Sequence, residues 1–159
     1  MQIVADQENI VREKTAIVGM GNYFRNDDAA GLLVMDAIKN DRIRSNVHLV
    51  NVEDVLESYI FAIAGSDSQN IVLLDAVSCQ AEPGSIVFGP LPEMSEKAET
   101  LSTHKAGLKL AEKILAGNGK KTWLLGIVAG NTDYGNQVSP EVRKGANIII
   151  NMLKDIIKE

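Results

Sequence analysis

The residues able to do chemistry are few and fall at the ends of apolar runs. Asp27 and Asp28 follow TAIVGMG (15–21), Asp75 stands inside IVLLDAV (71–77), and His104 lies in LSTHKAGL. The lone cysteine, Cys79, follows Asp75 closely. A carboxylate in an apolar strand is costly to bury unless it is paired, hydrogen-bonded or coordinated. For Asp75 the alternative to a ligand role is a structural one, accepting backbone hydrogen bonds from a neighbouring loop. Hard carboxylates and an imidazole from separate elements can hold a borderline cation such as nickel or zinc. Two carboxylates and one histidine also leave coordination positions open, which suits a site that engages a metal carried by its substrate.

Each candidate has a plainer reading. Asp27 and Asp28 could cap a helix and sit well with its dipole. Cys79 with His104 could form a thiol nucleophile and base, although a lone cysteine at a strand end is more often a small core or surface residue. His104 is placed at the first turn of a predicted helix, behind Ser102 and Thr103 as caps, where the neutral, metal-binding imidazole is favoured. His48, in VHLVNV, reads as structural. Gly19-Met20-Gly21 suggests a dinucleotide fingerprint, but Phe24 stands where the third glycine belongs. Asp27 and Asp28 would also put negative charge where a pyrophosphate should rest. The chain contains no G-x-S-x-G elbow, H-E-x-x-H helix or P-loop.

The elements that must position these residues alternate. TAIVG, VHLVNV (47–52), IVLLDAV and KTWLLGIV (121–128) read as buried parallel strands. Between them, Ala30, Leu33, Val34, Ala37 and Ile38 recur at helical spacing, as do Leu56, Tyr59, Ile60 and Ile63, and then Leu108, Ala111, Ile114 and Leu115. Glu82-Pro83-Gly84 turns into SIVFG, an edge or antiparallel strand following closely on its neighbour. Ser139-Pro140-Glu141 opens a last helix that buries Val142, Ala146, Ile149, Ile150, Leu153 and Ile157. The order predicts one three-layer α/β/α domain over 1–159, with a mostly parallel twisted sheet and one antiparallel strand. Ligands in such sheets bind beyond the carboxyl ends of the strands, where Asp28 and Asp75 are expected.

Composition narrows the partners. The 159 residues are 45% hydrophobic and 23% charged, as in ordinary globular chains. With 16 Lys plus Arg against 21 Asp plus Glu, the net charge of -5 argues against nucleic acid. A single cysteine excludes an internal disulfide, and no apolar run reaches the roughly eighteen residues of a membrane span. A cytoplasmic location, no membrane partner and a monomeric state are the expectations.

Six segments in order, GMGNYFRNDDAAG, LLDAV, EPGSI, STHKAGL, LLGIV and VSPEV, resemble the hydrogenase maturation proteases. The resemblance implies a phosphorylase/hydrolase-like α/β domain and an aspartyl-type endopeptidase. Its substrate would be the nickel-loaded precursor of a hydrogenase large subunit, from which a short C-terminal peptide is removed. On the same ground Asp28, Asp75 and His104 are the expected catalytic and metal-contacting residues. The nickel would be carried by the substrate, with no permanently bound cofactor. Two alternatives stand beside this: a non-proteolytic nickel-sensing chaperone, and a cysteine hydrolase using Cys79 and His104. The chain departs from the family in NVEDVLES, where many members have Asp-Gly-Gly. It departs again at Ala29 and Ala129, where relatives carry glycine or another small residue and a proline.

Overall fold

The β-branched and apolar runs pair into one sheet because their side chains are buried on both faces. A computed structural model describes residues 2–96, 101–102 and 105–159. The elements in chain order are α1 (Gln2–Ile10), β1 (Thr15–Met20), a 3-10 turn (Asn26–Ala29), α2 (Ala30–Ile38), β2 (Val47–Glu53), α3 (Leu56–Ala64) and β3 (Asn70–Ser78). There follow β4 (Ile86–Pro90), α4 (Leu91–Glu96), β5 (Leu101–Ser102), α5 (Lys105–Gly117), β6 (Lys121–Val128) and α6 (Pro140–Ile157). The sheet runs β2-β1-β3-β6-β4, with β5 added against β3. β1 is parallel to β2 and β3, and β3 to β6.

The expected three-layer architecture is present, with a separate apolar core on each face of the sheet. One core joins α1, α2 and α6 to Ile17, Val72, Leu74 and Leu125. The other joins α3, α4 and α5 to Val18, Ile71, Leu73 and Val77. Alternate residues of β3 feed opposite cores, which is why its sequence is apolar without a period. On this alternation Asp75 belongs to the face of Leu73 and Val77, the one covered by α3 and α5.

Several local expectations are refined. SIVFG does form an edge strand and is antiparallel, but its partner is β6, which comes later in the chain. Its neighbour in the chain, β3, already has β1 and β6 on its two sides. A second antiparallel pairing, β5 on β3, was not expected. Neither α1 nor α4 was read from the sequence. Tyr59, placed on the inner face of α3, is 40% exposed, while Leu56, Ile60 and Ile63 are buried.

One contact sets how α2 crosses the sheet. A Cβ on Gly31 would lie 2.6 Å from the Leu74 carbonyl oxygen and 2.7 Å from that of Met20. The helix backbone therefore rests directly on the carboxyl ends of β1 and β3, with room only for hydrogen. Neither neighbour is a flexible side chain that could give way. Gly31→Ala should cost about 1–3 kcal/mol in urea denaturation, as overpacking does. A loss below half a kcal/mol would show that the contact is slack.

Candidate functional site

The strand β1 ends in a turn that only glycine fits comfortably. Gly21 has φ +147, and a side chain there would run into the Asp28 carbonyl. The following residues fold back as the 3-10 turn, bringing Asp27 and Asp28 over the sheet edge. This turn packs against β3, three residues before the close contact at Gly31. Asp28 is 2% exposed and Asp75 is fully buried. Both carboxylates are thus brought to the carboxyl ends of β1 and β3. The backbone N–H of Ala76 donates to Asp75 Oδ1 at 2.8 Å, and both aspartates have further interactions.

Asp27 and Asp28, adjacent in sequence, have different surroundings. Asp27 is turned away into the 130–139 loop. Its Oδ2 accepts from the N–H groups of Gly130 and Asn131, each at 2.9 Å, and from the Ser139 hydroxyl at 3.0 Å. Its Oδ1 accepts from the Ser139 N–H at 2.7 Å. The capping expectation therefore fails for Asp27, which bridges two loops instead of closing its own helix. It fails for Ser139 as well, since its side chain makes no cap hydrogen bond and is bound to Asp27.

Burial pushes the Asp27 pKa up, but the hydrogen bonds from Asn131, Ser139 and Gly130 outweigh it, so the carboxyl sits below its ordinary value.

His104 lies outside the described residues. Its described chain neighbours are Ser102, which pairs with Val77 two residues beyond Asp75, and Lys105, the first residue of α5. Among the described residues no group of three or more His, Cys, Asp and Glu is placed to hold a metal ion. Cys79 is a free thiol, half-buried and packed against the core on the α3 and α5 face. His48 is exposed on β2 and helps line a cavity of about 370 Å³ with Ala16, Val50, Tyr59 and Ser66. That cavity contains neither Asp28 nor Asp75.

The glycine-free stretch after β2 keeps the backbone shape that glycine would take. Glu53 has φ +50, in the left-handed region. Its N–H donates to Asn51 Oδ1 at 3.0 Å, and its carbonyl accepts from the Gly21 N–H at 3.0 Å. This is also where the β1–β2 register shifts. Glu53 is exposed, so the stretch that departs from the family pattern carries a carboxylate at the end of β2.

The fold and the buried carboxylates define an open α/β domain with its candidate chemistry at the carboxyl edge. No family model matches the chain. A Methanocaldococcus jannaschii protein provisionally named as a hydrogenase maturation protease is 24% identical over 147 residues, covering 90% of this chain and 96% of that protein. The structure of the [NiFe] hydrogenase maturation protease HycI from Thermococcus kodakarensis superposes with a TM-score of 0.80 at 26% identity, covering 97% and 99% of the two chains. That of HybD from the same organism gives 0.74 at 25% identity, over 91% and 99%. The Escherichia coli HybD endopeptidase, 18% identical, shares the fold with a TM-score of 0.76 over 89% and 90%. In sequence and fold, over nearly its whole length, this chain is similar to hydrogenase maturation proteases.

Asp27 yields a prediction whose sign follows from its surroundings. Its folded pKa is depressed, so its contribution is present above the unfolded value, about 3.9, and is lost as pH falls through the folded one. Asp27→Asn turns an acceptor into a donor facing N–H groups and should cost about 2 kcal/mol or more at neutral pH. Urea midpoints measured from pH 7 downward should converge for wild type and variant in acid. A gap independent of pH would mean that the charge is not what holds the loops.

Proposed function

We propose that this protein is an endopeptidase that removes a short C-terminal peptide from the nickel-loaded precursor of a hydrogenase large subunit. The observation that carries this reading is the pair of buried carboxylates, Asp28 and Asp75, at the carboxyl edge of a whole-chain hydrogenase maturation protease fold. Strand β3 is covered on both faces, so a carboxylate there needs partners. Asp28 and Asp75 already have partners within the chain, and a cation brought by the substrate would add to them.

In this reading Asp28, Asp75 and His104 share the nickel with the precursor and orient the scissile peptide. The negative charge of the two aspartates holds the cation, and the cation in turn polarises the carbonyl or the attacking water. His104 supplies a neutral nitrogen ligand. Its connection through Ser102 to the Val77 position of β3 supports its inclusion. An aspartyl-type reaction, a cytoplasmic location and action as a monomer belong to the same proposal. No helix among the described residues is long and apolar enough to cross a membrane.

Mixing the protein with nickel-loaded precursor and measuring the precursor's mass tests the reading directly. A full-length precursor after prolonged incubation with stoichiometric protein would favour a chaperone without cleavage. Asp28→Asn, Asp75→Asn and His104→Ala should each lower cleavage about a hundredfold or more. Each should also weaken the modest binding of cadmium, used as a stand-in for nickel. Equal cadmium affinity in wild type and all three variants would remove the metal role and leave these residues as acids and bases.

The cysteine hydrolase alternative gains nothing from a thiol packed against the core. Cys79→Ala should process precursor within about twofold of wild type, since the thiol packs against the core as a small apolar side chain would. A folded but inactive Cys79→Ala protein would reverse that ranking.

A further inference from the structure

The chain has three Phe, three Tyr and one Trp. Phe88 and Trp123 stack at 5.6 Å against the core, and the Tyr23 hydroxyl donates to Asp36 at 2.9 Å. Phe24 and Tyr134 are the most exposed, at 73% and 85%. They stand on two loops, one after β1 and one after β6, that meet beside Asp28.

These loops are bound to each other along their length. Arg25 pairs with Gly135, the Gly135 N–H donates to the Phe24 carbonyl at 2.8 Å, and the Asn26 N–H donates to the Gly135 carbonyl at 3.0 Å. Arg25 Nε donates to the Thr132 carbonyl at 3.0 Å, and Asn26 Nδ2 to that of Asp133 at 3.0 Å. The Arg25 guanidinium lies 5.4 Å from the Tyr134 ring centre. Below, Asp27 ties the same two loops together. The aromatic rings are therefore not exposed because a loop is slack. Their loops are ordered before any partner arrives, which lowers the entropy lost on binding, and rigid exposed aromatics are the residues that dominate binding energies.

We propose that Phe24 and Tyr134 form the docking contact for the substrate polypeptide, taking apolar side chains of the segment that carries the scissile bond. The proposal rests on the peptidase reading for the identity of its partner. The rim adjoins the carboxylates on the same stretch of chain, Phe24 preceding Asp28 by four residues. The loop that carries Phe24 continues directly into the 3-10 turn that carries Asp28.

The test compares wild type, Phe24→Ala/Tyr134→Ala, and Phe61→Ala as a control. Phe61 is 72% exposed, on the outer side of α3. Cleavage of nickel-loaded precursor is followed against precursor concentration, and precursor binding is measured separately by surface-immobilised titration. Circular dichroism melting checks folding, with single Phe24→Gln and Tyr134→Gln variants should the double one not fold. The double variant should raise KM and Kd about tenfold or more with kcat within threefold, while Phe61→Ala changes neither. Unchanged KM and Kd, a fall in kcat alone, or an equal loss in Phe61→Ala would overturn the docking role with peptidase activity intact. Rim-dependent binding without cleavage would instead remove the peptidase reading and keep the rim. No binding of precursor by wild type would overturn both.

Discussion

The carboxylate of Asp27 is buried, and it accepts four hydrogen bonds from the loop after β6. Burying that charge without these donors would be costly, so the contact favours the two loops coming together. Much else follows from the closure. It orders the 3-10 turn that presents Asp28, it fixes the start of α6 through Ser139, and it brings Arg25 and Asn26 against 132–135. One carboxylate acts as a structural anchor so that its neighbour can be aimed at the sheet edge.

Close backbone packing complements this anchor. At Gly31 the helix α2 touches the carbonyls of Leu74 and Met20, and at Gly21 the chain passes the Asp28 carbonyl too closely for a side chain. The distance of Asp28 from β3 is thereby governed by backbone on backbone, which yields far less than side-chain packing does. Asp75 is held by the parallel neighbours β1 and β6 on either side of its strand. Both aspartates are thus positioned by rigid elements, as the proposed metal-reading role would require.

Around this fixed centre the rim is where the chain is individual. Glu53 holds a left-handed backbone without glycine, and Phe24 and Tyr134 stand out into solvent on braced loops. Under the proposed function, such rim positions would bear on which polypeptide is engaged and the buried aspartates on what is done to it. The fold is shared with relatives at about one quarter identity or less.

The amino-acid order by itself determined the alternating strands and helices, the buried character of β3, and the placement of Asp28 and Asp75 at strand ends. These follow from local periodicity and from the cost of an aspartate in an apolar run, both legible without coordinates. Six short motifs in order also carried the family resemblance. Periodicity could not assign partners across long loops, so the pairing of β4 with β6 and of the two-residue β5 with β3 came only from the tertiary structure. Nor could it separate Asp27 from Asp28, since both satisfy the same capping rules. Only the tertiary structure decided that one carboxylate faces the 130–139 loop, because its donors lie more than a hundred residues away in the chain. The exposed rim was equally unreadable: an aromatic residue in sequence implies burial, and its exposure depends on loops that meet only when the sheet is built.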